Sequence, residues 1–314
     1  MSRHPRRQTA QETVAILDRG DYLTPSGRTV SIAGTVDAAV RGTVLHRPDE
    51  LDALLAGLPK SPGLETRIEV TEETTLAAAR RLAMLTAGAS AGPGAGAGPG
   101  AGLGAGVNAG LGAGAGAGLG ASPGGVPLAL NFASAKNPGG GFLNGAHAQE
   151  EGLARSSALY ASLRAAREFY DFHRAQGDLL YSDHMIYSPG VPVFRDDAGR
   201  LLDEPYEVAF LTSPAPNRGA IRDEGQAARI SDVLRLRARK VLAVALRHGH
   251  RRLVLGAWGC GVFRNDPAEV AQAFAESLRA DGGEFAGRFE HVVFAVWDTA
   301  AGAPRHAAFA RAFG

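Results

Sequence analysis

Apolar residues along this chain recur at two periods, and the order in which the periods alternate sets the architecture. Thr66–Thr71, Val126–Asn131, Met185–Phe194, Glu207–Thr212, Arg252–Ala257 and His291–Trp297 are extended apolar or β-branched runs and predict strands. Gln8–Asp18, Pro48–Leu58, Thr74–Ala87, Gln149–Ala175 and Ser231–His248 carry helical spacing. In Gln149–Ala175, Leu153, Leu159, Leu163 and Phe169 fall near one face, which predicts one long helix. Asp266-Pro267 predicts a further helix, with Asp as N-cap and Pro at its first position. Tyr22–Ile32 predicts a hairpin turning at Pro25-Ser26-Gly27. Pro214 should end the Glu207–Thr212 strand, and Arg195–Gly199 should be a turn. Strands alternating with helices predict a three-layer α/β/α fold around a mixed, largely parallel sheet.

One stretch has neither period. Residues 88–125 are almost wholly Gly and Ala, with a few Pro, Leu and Ser and no charge. Ordering so many glycines costs backbone entropy that no packing offsets, so the expectation is a flexible insertion. The chain then divides into an accessory region, 1–62, expected to pack on the core, and a catalytic domain, 63–314, interrupted by 88–125.

Charge narrows the function classes. Lys plus Arg is 33 against 32 Asp plus Glu, a formal net charge of +1, which argues against a dedicated nucleic-acid-binding surface and against sequence-specific recognition. Met1–Arg7 is basic, but no apolar segment follows it and no long apolar span occurs elsewhere. The expectation is a cytoplasmic protein. The single cysteine, Cys260, excludes an internal disulfide, and the sequence shows no metal-binding cluster, so no metal or cofactor is expected.

Two segments carry candidate chemistry. Gly139-Gly140-Gly141 follows the Val126–Asn131 strand, and seven residues later Gln149-Glu150-Glu151 opens a helix. A triple glycine is either a plain turn or a loop whose backbone a ligand can approach closely. Acidic residues at a helix start can simply complement its dipole. Adjacent carboxylates point about 100° apart on a helix, so a glycosidase built on this pair would use one to act and the other to bind. Gly256–Phe263 lies at the carboxyl end of a buried strand, where open α/β sheets bind ligands, and its glycines can form an anion-binding nest. No Gly-Lys-Ser/Thr ending follows, so it is not a nucleotide P-loop.

Together these segments resemble the bacterial-type poly(ADP-ribose) glycohydrolases, a branch of the macrodomain superfamily. The resemblance rests on the triple glycine, the spacer and Gln149-Glu150-Glu151, and on Gly259-Cys260-Gly261-Val262-Phe263. It extends through Tyr181-Ser182-Asp183 to Arg195-Asp196-Asp197 and covers roughly residues 8–87 and 126–299; the Gly/Ala insertion departs from the pattern. It implies a macrodomain-like fold and hydrolysis of the ribose–ribose bond of poly(ADP-ribose), releasing ADP-ribose. By that resemblance Glu151 is the catalytic acid and Glu150 binds the ribose hydroxyls beside the scissile bond. Gln149, of the same motif, is expected to bind substrate. Gly139, Gly140 and Gly141 border the distal ribose and its phosphate, and Asn137 orients the ribose. Gly259, Cys260, Gly261, Val262 and Phe263 hold the diphosphate, with Phe263 against the distal ribose. Glu73, in Thr71-Glu72-Glu73-Thr74, takes the adenine amino group. The competing functions are a non-catalytic ADP-ribose reader and a mono-ADP-ribosyl hydrolase; an intact Glu150-Glu151 pair is something a pure reader does not need.

Other features read as structural. Cys260 lacks an evident histidine partner and belongs to a loop. His147 reads as a solvent-facing loop residue, and His248 as a cationic partner of a helix C-terminus. Tyr187 and Trp297 read as core aromatics. Arg235–Lys240 reads as a solvated helix face.

Overall fold

The computed structural model describes residues 3–90 and 125–314 apart from residue 280, and most of the Gly/Ala insertion lies outside them. In chain order the elements begin with α1 (Arg3–Arg19), β1 (Asp21–Leu23), β2 (Thr29–Ser31), α2 (Ala33–Arg41), β3 (Val44–His46), α3 (Pro48–Ala56), β4 (Arg67–Thr71) and α4 (Thr75–Ser90). Then come β5 (Leu128–Phe132), a 3-10 turn (Phe142–Asn144), α5 (Gln149–Ser156), α6 (Leu159–Ala165), α7 (Arg167–Ala175), β6 (Met185–Arg195) and β7 (Leu201–Ser213). The chain closes with α8 (Glu224–Ala228), α9 (Ile230–Arg247), β8 (Arg252–Leu255), α10 (Pro267–Leu278), β9 (His291–Ala295) and α11 (Pro304–Phe313). β1 and β2 pair as the predicted hairpin.

The other strands form one seven-stranded sheet in the order β3-β6-β7-β5-β8-β9-β4. β7-β5-β8-β9-β4 are parallel, and β6 and β3 continue the sheet antiparallel. The strand period of two separates the core into two layers. Leu128, Leu130, Leu253, Leu255, Val292 and Phe294 face α3, α9, α10 and α11. Ala129, Val254, Val293 and Phe210 face α1, α2, α4, α6 and α7. That is the expected α/β/α arrangement.

The region before residue 62 packs on both faces of the sheet, and it also supplies the edge strand β3, whose three residues are too short to show a period. Neither β3 nor α2, α8 and α11 was expected. α4 runs to Ser90, a little into the segment assigned to the insertion.

The long helix expected over Gln149–Ala175 is three helices. β3 covers only Met185–Tyr187 of β6, so the backbone near Pro192 needs another partner. Ser157 leaves the helix for extended geometry, bridges Val193, and Ala158 N–H donates to the Pro192 carbonyl at 3.0 Å. The apolar face survives the break: Leu153, Leu159, Leu163 and Phe169 are all buried.

The Arg235–Lys240 face is not wholly solvated. Arg237 and Lys240 are each 1% exposed. Asp183 explains this, taking Arg237 Nε at 2.7 Å and Lys240 Nζ at 2.7 Å. Arg237 also donates to the Leu180, Tyr181 and Pro214 carbonyls, so every nitrogen of the buried cation has a partner. His248 caps α9, but burial, then the charges of His46 and His250, push its pKa down to about 3. It is therefore neutral, bonded to His46 at 2.9 Å and stacked on the buried Tyr187, and is no cationic dipole partner. Trp297 lies past the end of β9 and is largely exposed, contrary to its reading as core.

Candidate active site

Asn131, the next-to-last residue of β5, is a buried amide in an otherwise apolar strand, and after Phe132 the chain enters the glycine loop. Ser134 starts that loop, its hydroxyl accepting from the Lys136 and Asn137 amides at 3.3 and 3.2 Å. The Asn137 carbonyl accepts from Gly140 N–H at 3.0 Å, closing a tight turn. Gly139 and Gly140 have φ of 68° and 60°, the left-handed region that side chains disfavour. Gly140 has a second reason to be glycine. A Cβ there would collide with Glu151 Oε1 and lie 3.1 Å from Glu150 Oε2. The triple glycine brings backbone against both carboxyls.

α5 starts at Gln149, so the adjacent glutamates leave the helix on different sides. Glu150 turns inward and is 3% exposed. Its Oε2 accepts from Ser134 N–H at 2.6 Å, and its Oε1 faces Asn131 Nδ2 at 3.4 Å. Burial pushes its pKa up to about 8; the Ser134 amide opposes this and the charge of Glu151 adds to it. The buried Tyr170 of α7 feels the charge of Glu150 and has no hydrogen-bond partner for its hydroxyl among the described residues.

Glu151 is half-buried and faces the loop. Its Oε1 accepts from Gly141 N–H at 3.0 Å and its Oε2 from Ala148 N–H at 3.0 Å, as suits an acidic residue in a first helical turn. Arg155, one turn on, donates to the Ala146 carbonyl at 2.7 Å and lies 3.3 Å from Nδ1 of the exposed His147, so it pins the segment leading into α5. Gln149 is used inside the protein. It accepts from Phe132 N–H at 2.9 Å and donates to the Leu130 carbonyl at 2.8 Å and Thr75 Oγ1 at 3.2 Å. It positions the two glutamates by tying α5 to β5 and α4.

The second loop leaves β8, the strand beside β5. Trp258 Nε1 donates to the Ser213 carbonyl at 3.0 Å, and Ala133 N–H donates to that same carbonyl at 3.3 Å, so both loops start from one point above the sheet. Gly259 has φ of 72°, and a Cβ would lie 2.5 Å from both Ala215 Cβ and Asn265 Nδ2. The buried Asn265 amide donates to the Pro216 and Gly259 carbonyls, fixing the turn. Among the described residues, the amides of Gly261, Val262 and Phe263 find no acceptor. They are free to serve an anion. Val262 is 76% exposed. Phe263 is half-buried, its ring centroid 6.0 Å from that of Tyr181. Tyr181 has φ of 56°, held by the Arg237 bonds to this turn. Burial pushes the Cys260 thiol up to about 12, which removes it as a nucleophile near neutral pH.

The adenine choice fares differently. Glu73 is gripped by Arg81 at 3.0 and 2.7 Å, which lowers its pKa; Glu72 beside it is the exposed carboxylate of that segment. Asn137 is exposed on the loop surface. Asn131, Ser134, Arg155, Tyr170 and Arg237 were not foreseen. Of these only Asn131 carried a signal, as a polar residue in an apolar strand. Among the described residues no group of three or more His, Cys, Asp or Glu could hold a metal.

The arrangement defines a class: a three-layer α/β protein with a carboxylate pair and an amide nest on loops from adjacent parallel strands. Residues 10–196 match the microbial-type PARG, catalytic domain, family, more than half of the chain, and the chain belongs to that family. It is 63% identical to poly(ADP-ribose) glycohydrolase (PARG) from Thermomonospora curvata, over 99% of this chain and 100% of that one, with a TM-score of 0.84. The same enzyme bound to the inhibitor ADP-HPD matches at 62% identity, over 98% and 99%, with a TM-score of 0.81. PARG from Deinococcus radiodurans in complex with ADP-ribose matches at 42% identity, over 90% and 98%, with a TM-score of 0.72. Comparison with curated proteins gives no match.

Proposed function

We propose that this chain is a poly(ADP-ribose) glycohydrolase that cuts the ribose–ribose O-glycosidic bond and releases ADP-ribose, with Glu151 as general acid and base. The observation that carries the reading is the asymmetric pair: Glu150 buried and Glu151 open, both against the backbone of Gly140. Family membership and likeness to PARG structures holding ADP-ribose or ADP-HPD support it.

A ribose 2′-hydroxyl leaves poorly unless protonated. Glu151 gives its proton to that oxygen as the bond to the anomeric carbon breaks, leaving an oxocarbenium-like sugar. Water then attacks the anomeric carbon, and Glu151 takes back a proton from it. Glu150, neutral at pH 7 with a pKa of about 8, holds the hydroxyls of the ribose beside the scissile bond. Gly139–Gly141 border the distal ribose, and Asn137 orients it. The diphosphate takes the free amides of Gly261–Phe263, and Phe263 packs on the distal ribose. The adenine amino group falls to Glu73, whose carboxylate Arg81 holds.

Region 1–62 is an accessory region, and 63–314 the catalytic domain. We place the activity in the bacterial cytoplasm, in keeping with the bacterial relatives; among the described residues no helix is long and apolar enough to cross a membrane.

The test is release of ADP-ribose from auto-modified poly(ADP-ribose) polymerase, followed by chromatography. Wild type should release it, and Glu151→Gln should bind ADP-ribose while losing about 100-fold or more in kcat. Binding without release by wild type would overturn the reading and favour a reader or a mono-ADP-ribosyl hydrolase, with mono-modified substrates deciding between them.

A further inference from the structure

The basic N-terminus noted in the sequence folds into the first turns of α1, and α1 lies on the loop that carries the proposed acid. Arg3 Nε donates to the Asn144 carbonyl at 3.1 Å, and Arg6 Nε to the Gly145 carbonyl at 2.9 Å. Arg155 takes the next carbonyl, Ala146, and the Ala148 amide binds Glu151. Three guanidiniums thus hold three successive carbonyls of the segment leading to Glu151. The fit is close: a Cβ at Gly145 would lie 2.9 Å from Arg7 Cγ and 3.1 Å from Arg3 Cγ.

This cationic surface is under-neutralised. The carboxylates of α1 are Glu12, which pairs with Arg195 at 2.8 Å, and Asp18, at the far end. Among the described residues, Arg3 and Arg7 have no carboxylate within ion-pair distance, and both are exposed, as is His4. The exposed His147 registers the field. Burial, then Arg155 and Arg6, lower its pKa although Glu151 pulls the other way.

We propose that Arg3, His4, Arg7 and His147 form a binding surface for the diphosphates of the polymer segment on the leaving side of the scissile bond. The inference rests on the glycohydrolase reading above. There, the terminal unit puts its own diphosphate on the Gly261–Phe263 amides. The oxygen protonated by Glu151 belongs to the next unit, so the remaining polymer departs past the loop that α1 braces. That polymer carries a dianionic diphosphate in every unit, matching unpaired arginines beside the exit. The contact is electrostatic and tolerant of position, as suits a product that must dissociate.

The test compares wild type with Arg3→Glu, Arg7→Glu and the double variant, on long poly(ADP-ribose), a short oligomer and ADP-ribose alone. KM for long polymer should rise about three- to tenfold in the double variant, with less change for the short oligomer. In Arg7→Glu, whose guanidinium holds none of those three carbonyls, kcat and the Kd for ADP-ribose should stay within about twofold. The slope of log(kcat/KM) against log salt should flatten by about one per arginine removed. Unchanged KM for polymer overturns the proposal. So does a parallel fall in kcat or ADP-ribose affinity in Arg7→Glu, which would show this arginine acting only on the loop. Polymer binding is measured as well in the Glu151→Gln background, where it needs no turnover. Failure of wild type to release ADP-ribose would sink the glycohydrolase reading, whereas equal polymer affinity with and without Arg3 and Arg7 would sink this one. Equal competition by duplex DNA of the same charge would also overturn it, marking a general polyanion patch.

Discussion

Glu150→Gln should change how stability depends on pH, and the sign follows from where the carboxyl sits. Burial raises its pKa from 4.5 to about 8 in the folded chain. Between those values the folded state holds a proton that the unfolded chain has released. Raising the pH therefore favours unfolding: the contribution is complete below about pH 4.5 and is lost as the pH climbs through about 8. Each pH unit in that window costs a little over about 1 kcal/mol, so the loss by pH 7 is roughly 3 kcal/mol. For a domain of this size that is on the order of 5–10 °C in Tm. Glutamine removes the proton while keeping an oxygen for the Ser134 amide and an amide of similar shape. The assay is thermal unfolding of both proteins at intervals from about pH 5 to about pH 8.5. The buried histidines titrate alike in both and cancel in the difference. Wild type should lose Tm relative to the variant as pH rises, and the gap should level off above the folded-state pKa. Parallel curves would refute the argument, because they would mean that Glu150 is already ionised in the fold.

Gly140→Ala should leave the protein folded, at a cost of about 1–2 kcal/mol for its φ of 60°, but cut kcat about 100-fold by displacing Glu151. Thermal melts and steady-state ADP-ribose release check this, and a variant with normal kcat would show that Gly140 does not set the carboxyl. Cys260 should resist iodoacetamide at about pH 8 in the folded protein and react once unfolded in urea, because burial pushes its thiol up to about 12. Mass measurement reads the adduct, and rapid labelling of the folded protein would return Cys260 to candidacy as a nucleophile.

Local chemistry was legible where it depended on neighbours in sequence. The glycine triplet predicted either a plain turn or a loop open to close approach by a ligand, and it is the two carboxyls that come close to it; the angular step of a helix predicted that the pair would divide its work. The Asp266-Pro267 start of α10 was legible for the same reason: the cap needs only the Ala268 amide, which Asp266 takes at 2.8 Å. Distant partners hid the rest. The break at Ser157 depends on the stretch of β6 that β3 does not cover, a fact of sheet assembly. Arg237 and Lys240 look solvated until Asp183, more than fifty residues away, is brought beneath them. Glu73 matched a family position, but Arg81, two turns into α4, reaches back for it. Gln149 matched the motif, yet its two donors and one acceptor are spent on β5 and α4.

The same distant contacts explain why adjacent, chemically identical residues differ. Glu150 meets Asn131 from β5, the Ser134 amide and the charge-coupled Tyr170 of α7 and is itself buried, so its neutral form is favoured. Glu151 accepts from two loop amides, lies in the field of Arg155, and is only half-buried. In the proposed mechanism a proton leaves and returns to Glu151 in each turnover, which requires access, and Glu150 holds a hydroxyl without moving, which suits burial. Exchanging the two residues' environments would take more than a side-chain change, because the step along α5 aims one at the sheet and the other at the glycines. The pair's asymmetry is therefore a property of where α5 starts, and Gln149, by tying that start to β5 and α4, sets which glutamate is which.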